Sequence, residues 1–356
     1  MCDRDGPGGA RSPALAVSGA PLLEPLGLLH GRAAAEAVAA GQAAWLAGGP
    51  VAFCLMRKDG AVLPVGSLPA TWQPILARIT RRPPPWAGLP AHRPVVMGIV
   101  NVTPDSFSDG GRHAATDVAI DAGRAMAAAG ADIVDVGGES TRPGSQPTPV
   151  AEEQARILPV IRALAAAGIA VSADTRNAVT MAAALDAGAR IINDVSALAH
   201  DQAAAALVAQ RGCPVVLMHM RGTPATMQSQ TDYADIALDV TRELAARLEV
   251  AIAAGIAPEA IALDPGIGFA KAPGQNEALL ARLPVLLNLG CRIVAGVSRK
   301  GFIGRVSGEA DAMRRLPGSL AAGLQALAGG ASVLRVHDVA ETVQAVRVWH
   351  AIVTES

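Results

Sequence analysis

Eight short apolar runs in this 356-residue chain each pass directly into a cluster of residues able to bind or steer charge. Asn101 opens the stretch NVTPDSFSDGG, and Gly137-Gly138-Glu139-Ser140-Thr141-Arg142-Pro143-Gly144 follows the second run. The other six end in Asp174-Thr175-Arg176, Asn193-Asp194, Met218-His219, Asp264-Pro265-Gly266, Ser298-Arg299-Lys300 and Arg335-Val336-His337-Asp338. The carboxylates accept hydrogen bonds, Asn193 can donate and accept, and Lys300 donates from a full positive charge. Arg335 and His337 alternate along one run, so both can point the same way, and an arginine forks onto an oxyanion. Any one of these residues alone would be read as a helix cap or a surface charge. Their recurrence at eight consecutive run ends is what argues for a common site.

The elements that must position them follow from the pattern. The apolar runs are near-continuous, as strands covered on both faces should be. Between them lie helix-like segments at 116–129, 150–167, 177–187, 202–210, 233–254, 276–289, 319–328 and 339–352. Thr116-Asp117 and Thr148-Pro149 resemble helix starts, and Gly130, Gly168, Gly188 and Gly255 resemble stops. Eight strand–helix repeats in about 260 residues predict an α/β fold, a closed (β/α)8 TIM barrel, whose post-strand loops share one mouth. An open doubly wound sheet would more often carry a GxGxxG turn after its first strand, and none is present.

Residues 1–92 read differently, as a small appended α+β segment of unknown role ahead of a barrel at 93–356. They hold three of the four tryptophans and end in the proline-rich RRPPPWAGLPAHRP, read as a linker. A helix at 32–47 and a strand pair around VAFCLMR and AVLPVGSL, with Asp59-Gly60 at the turn, are expected.

The bulk numbers exclude several classes. With 51% hydrophobic and 17% charged residues, disorder across the chain is not expected. A net charge of −1 leaves no footprint for nucleic acid or an anionic membrane. The first residues lack an apolar signal segment, and the stretch 37–56, though long and uncharged enough to raise a membrane question, is broken by Gly48-Gly49-Pro50. The four cysteines are scattered without a CxxC, so reduced thiols and a cytoplasmic location are expected.

The first two loops, together with Ile192-Asn193-Asp194-Val195, Leu217-Met218-His219-Met220, Asp264-Pro265-Gly266-Ile267-Gly268-Phe269, Ser298-Arg299-Lys300 and Arg335-Val336-His337-Asp338, resemble dihydropteroate synthase. The resemblance runs in order from about residue 94 to the end. It implies a transferase of folate biosynthesis that condenses 6-hydroxymethyl-7,8-dihydropterin diphosphate with p-aminobenzoate, giving 7,8-dihydropteroate and pyrophosphate. It implies pterin binding by Asp174, Asn193, Asp264 and Lys300, with Met218 as an apolar wall. Diphosphate falls to Asn101, Arg335 and His337, and Mg2+ to Asn101. The p-aminobenzoate pocket falls to Thr141, Arg142, Pro143, Phe269 and Ser298. Catalytic roles are expected for Asp109, Arg142, Asp174 and Lys300, and the family implies a homodimer.

These assignments make physical sense. A pterin edge presents both donors and acceptors, and a buried polar group left unpaired costs about 1–3 kcal/mol. Mg2+ keeps most of its waters and is often held through substrate phosphates, so one protein ligand suffices. The arylamine is neutral and nucleophilic at pH 7 and needs positioning more than a base. A pterin-dependent methyltransferase on the same barrel would have no use for the diphosphate pair or the two loops. A non-catalytic paralogue would be expected to lose Asn101, Arg142, Lys300 or Arg335, and all four are present. No insertion interrupts the second loop, so sulfonamides should compete with p-aminobenzoate.

Overall fold

The computed structural model describes residues 19–102, 111–142 and 144–355, and for 111–114 the backbone alone. The N-terminal unit comprises β1 (Glu24–Leu29), α1 (Gly31–Ala39), β2 (Ala44–Trp45), β3 (Ala52–Lys58), β4 (Ala61–Pro64) and α2 (Gln73–Thr80). The barrel follows as β5 (Val95–Asn101), α3 (Gly111–Ala128), β6 (Ile133–Gly137), α4 (Val150–Ala166), β7 (Val171–Asp174), α5 (Ala178–Asp186), β8 (Ile191–Asp194) and α6 (Ala204–Arg211). It continues through β9 (Val215–Met218), α7 (Ile236–Ala253), β10 (Ile261–Asp264), α8 (Gln275–Ala281), β11 (Arg292–Ala295), α9 (Gly301–Ser307), α10 (Leu316–Ala328), β12 (Val333–Val336) and α11 (Val339–Thr354).

Strands β5 to β12 pair in sequence order, all parallel, and β12 closes onto β5. Their residues are almost all buried, because helices cover the outside and side chains fill the inside. At the amino end of the barrel, Val95, Met97, Ile133, Ile191, Val216, Ala262, Val294 and Val333 form an apolar layer. Trp86 joins that layer, 2% exposed, with its indole N–H donating to the Ala260 carbonyl at 2.9 Å. The proline-rich run therefore does more than link. It delivers a plug to the barrel floor, and proline suits it because an irregular path needs few backbone donors.

In the N-terminal unit β3 is central. It pairs antiparallel with β1 on one edge and with β2 and then β4 on the other. The β3–β4 hairpin turns at Asp59-Gly60, where both residues have positive φ, as the sequence predicts. The unit shares its core with the barrel: Leu23, Phe53, Met56, Ile75 and Ile79 belong to the same buried cluster as Leu283 and Leu287. Polar contacts fix the join. Glu24 takes both Arg57 and Arg282, and Asn288 hydrogen-bonds both ways to the Leu23 backbone.

Some elements differ from expectation. The helix predicted over 32–47 stops at Ala39, because the chain turns at Gly41, where φ is +68°, to form β2. The helix predicted over 276–289 breaks after Ala281 into a tighter 3-10 segment, Leu283–Leu289, with Pro284 at its start. Strand β1 and helices α2 and α9 lie outside the predicted elements. Among the described residues no helix is long and apolar enough to cross a membrane; the stretch 37–56 spans the end of α1, β2 and most of β3.

Candidate active site

Alternation along a parallel strand sends every second side chain into the barrel. The sites converge for that reason. Within Asn193-Asp194, Asn193 turns inward, and its side-chain N–H donates to Asp135 at 3.0 Å. Asp194 turns away and caps its own loop, accepting from Ser196 N and Oγ and from Leu198 N. Along β12, Val336 enters the outer core while Arg335 reaches the mouth.

The centre of the mouth is a charge network. The Arg335 guanidinium lies 2.6 Å from Asp135 on one side and 2.6 Å from Asp174 on the other. Asp135 is fully buried, and its second carboxylate oxygen has no partner among the described residues. One cation thus serves two carboxylates. Burial pushes the Asp174 carboxyl up, to about 7, against the pull of Arg335 and with the Asp135 charge adding to the rise. The two carboxylates hold the Arg335 guanidinium protonated more firmly than usual, although burial opposes this. Asp174, open to reading as an N-cap, makes no cap; α5 begins after Asn177.

A second group sits across the mouth. Lys300 precedes α9, and its Nζ lies 4.3 Å from the Phe269 ring centroid. Burial lowers it to about 8, and Asp264 partly restores the charge. Asp264 is also buried, which raises its carboxyl, while the Gly266 N–H donates to it at 2.7 Å and lowers it. Gly266 has to be glycine here. Its φ is +66°, and a Cβ would stand 2.0 Å from the His219 carbonyl oxygen. Met218 packs with Val195, Met227, Phe269 and Ala270 as the apolar wall beside these groups.

At the end of β12, His337 lies against Ser298: the hydroxyl accepts from the His337 backbone N–H at 3.2 Å and sits 3.0 Å from Nδ1. Burial and the neighbouring Arg299 and Arg335 charges lower the imidazole to about 4, so it is neutral at pH 7. Asn101, half-buried, ends β5 opposite Gly137 in the register. On the second loop Thr141 is half-buried and Arg142 exposed. Asp109 and Pro143 lie outside the described residues.

Several supporting residues were not read from the sequence. Asp135 is the foremost. Its only signal is a lone carboxylate inside the apolar run IVDVG, two residues from Gly137 and so on the same face. Glu139 and Arg176 form a buried pair through two hydrogen bonds, 2.8 and 2.9 Å, tying the start of the second loop to the segment after β7. Lys271 is a buried brace. It donates to the Gly266 and Phe269 carbonyls at 2.8 and 2.9 Å and stands 3.3 Å from His219, which pairs with Glu243. Burial lowers Lys271 to about 7, so it serves the loop mainly as a hydrogen-bond donor.

A barrel with acceptors, donors and an apolar wall at the carboxyl ends of its strands defines a site for a flat polar heterocycle. Residues 97–337 match the family described as pterin binding enzyme. The chain therefore belongs to the pterin-binding enzyme family, and within it to the dihydropteroate synthases. A dihydropteroate synthase of Mycobacterium leprae is 48% identical over 259 residues, covering 71% of this chain and 91% of its own. A solved dihydropteroate synthase of Xanthomonas albilineans with 4-aminobenzoic acid superposes with a TM-score of 0.70 at 48% identity, covering 73% of this chain and 93% of its own. The same enzyme in complex with 7,8-dihydropteroate gives a TM-score of 0.68 at 45% identity, covering 74% and 95%. The family match begins at residue 97, so the N-terminal unit lies outside it.

Proposed function

We propose that the barrel mouth joins 6-hydroxymethyl-7,8-dihydropterin diphosphate to p-aminobenzoate, releasing pyrophosphate and forming 7,8-dihydropteroate. The observation that carries this reading is Arg335 held between Asp135 and Asp174, with Asn193 donating to Asp135, beside Asp264 and Lys300. Carboxylates accept from the amino and ring N–H groups of a pterin. Lys300 donates to its carbonyl or ring nitrogen, and Asn193 can do either. Met218 supplies the flat apolar contact.

Arg335 stands where two sets meet. Of its carboxylate partners, Asp174 belongs to the pterin set and Asp135 holds that set's Asn193, while His337, two residues on, belongs to the diphosphate set with Asn101. A neutral His337, with Nδ1 engaged by Ser298, keeps Nε2 for a phosphate oxygen. Among the described residues no cluster of three or more His, Cys, Asp or Glu could hold a resident metal. The amide oxygen of the half-buried Asn101 suits Mg2+ carried in by the diphosphate, and Mg2+ would neutralise charge on the departing pyrophosphate.

The chain's own residues then act by position and field. The carbon–oxygen bond to diphosphate breaks early, leaving a resonance-stabilised pterin cation. Asp174, and Asp109 from the first loop, balance that cation. The second loop, anchored through Glu139 and Arg176, places Thr141, Arg142 and Pro143 to orient p-aminobenzoate with Phe269 and Ser298. Its amine attacks, the new carbon–nitrogen bond forms, and the released proton passes to solvent at the mouth. The reading includes a homodimer working on soluble substrates in the cytoplasm.

Pyrophosphate release on mixing the protein with both substrates and Mg2+ tests the reaction; no release would refute it. Isotope scrambling of the bridge oxygen without p-aminobenzoate tests early cleavage, and strict dependence on the amine would exclude it. Sulfonamides are expected to compete with p-aminobenzoate. Sedimentation velocity checks the dimer.

A further inference from the structure

At the opposite end of the barrel, the N-terminal unit and the barrel line a partly open cavity of about 390 Å3. The loop 46–51 and the run 91–94 form one side. Arg292 at the start of β11, the turn before β12 and the end of α11 form the other. The size is within the range of small-molecule sites.

Three features of the lining point to a ligand. Arg292 Nε, Ser332 Oγ and His350 Nδ1 are buried without a protein hydrogen-bond partner, three of the eight such side-chain atoms among the described residues, and all three residues line this one cavity. Buried polar groups are rarely left unpaired, so this concentration calls for an occupant. The charge is one-sided: among the described residues three arginines and two histidines line the cavity, and no Asp or Glu does. Arg93 is neutralised by a two-pronged pair with Asp132. Among the described residues Arg82 and Arg292 make hydrogen bonds only to backbone carbonyls, of Gly48 and Pro84 respectively. Arg292 is 5% exposed, and a buried cation without a counter-charge is unfavourable unless something anionic meets it. Finally, Trp45 and Trp349 also line the cavity, and their faces suit a flat ring.

We infer that this cavity is a second binding site, for a small planar molecule carrying a phosphate or carboxylate. The anion meets Arg292 and Arg82, with Ser332 and His350 completing its hydrogen bonds, and the ring lies against the tryptophans. The site needs both the N-terminal unit and the barrel floor, so it gives residues 19–92 a role distinct from the reaction at the mouth.

Two of the four tryptophans line the cavity, so intrinsic fluorescence reports on it. The full chain, its mouth saturated with 7,8-dihydropteroate, is titrated with adenosine 5′-monophosphate, 2-naphthoate and uncharged adenosine, with melting temperature followed in parallel. Adenosine monophosphate separates a phosphate ligand from the carboxylate represented by naphthoate. At least one anion is expected to quench saturably and to raise the melting temperature, with adenosine at least about tenfold weaker. Arg292→Met is expected to lower anion affinity at least about tenfold. The same change should leave the ligand-free protein as stable or more so, since it removes an uncompensated buried charge; a purely structural arginine would do the reverse. Arg82→Met and Ser332→Ala carry the same affinity test should Arg292→Met fail to fold. The inference is overturned if neither anion gives a saturable response up to about 10 mM, if dihydropteroate competes the response away, or if the variants bind as the unmodified protein does.

Discussion

The two ends of this barrel handle buried charge in opposite ways. At the mouth, charges answer one another: Arg335 sits between Asp135 and Asp174, Lys300 is balanced by Asp264, and Glu139 is locked to Arg176. At the floor, an apolar layer is stoppered by Trp86, and the nearby Arg292 has no carboxylate partner among the described residues. Paired groups can be buried and still stay polar, which is what recognition of a heterocycle requires. An apolar stopper contributes stability and carries no chemistry. The division matches the general partition of such barrels into a reactive end and a stabilising end.

The sharpest way to break the comparison is Arg335→Ala. It strands two buried carboxylates, so stability should fall by about 3–5 kcal/mol in urea denaturation. Binding of a pterin without phosphate should fall together with binding of the diphosphate, each by about a hundredfold. Loss of diphosphate affinity alone would return Arg335 to a purely phosphate role, as the sequence suggested. At the other end, Trp86→Ala should cost about 3–5 kcal/mol of stability with the KM for both substrates unchanged. A large KM change would mean that floor and mouth are coupled.

A smaller effect is expected from Glu139→Gln, which keeps the shape of the second loop's anchor and removes its charge. KM for p-aminobenzoate should rise about tenfold while pterin affinity holds, about 1.4 kcal/mol at one substrate only. Steady-state kinetics with each substrate varied would reveal an equal effect on both, and that would count against the anchor.

The mildest test is pH. Lys300, lowered to about 8, is charged below that value and neutral above it, so pterin affinity should decline as pH rises through about 8. In Lys300→Arg the charge persists and the decline should vanish. The stability linkage has the opposite sign. Between about 8 and the usual lysine range the unfolded chain holds a proton that the native chain has lost, so Lys300 makes stability rise with pH there. Calorimetry of the two proteins between those limits would separate the contributions.

Much of the site was legible because parallel strands make it so. Asp174, Asn193, Asp264, Lys300 and His337 each stand at or just past a strand end, and the run ends are visible without a structure. Asp135 was not, because it is one residue inside a strand that otherwise reads as core, and strand alternation gains meaning only once Arg335 is known to face it. Lys271 was missed for a related reason: a lysine after Gly-Phe-Ala reads as a solvated loop charge, and only packing shows it buried under the carbonyls of that loop. The proline-rich run kept its irregular conformation, as expected, yet Trp86 within it became core.

By itself, then, the order of residues determined the repeat of strand and helix, the closure into a barrel and the end at which chemistry gathers. These follow from local periodicity and strand direction, which neighbouring residues impose. The pairing of charges was decided only in three dimensions. Arg335 and Asp135 are 200 residues apart, and which carboxylate shares which cation depends on the register of strands that nothing local specifies. The same holds at the floor, where Arg292 meets the N-terminal unit: its unpaired state is a property of the packed molecule and of no segment within it.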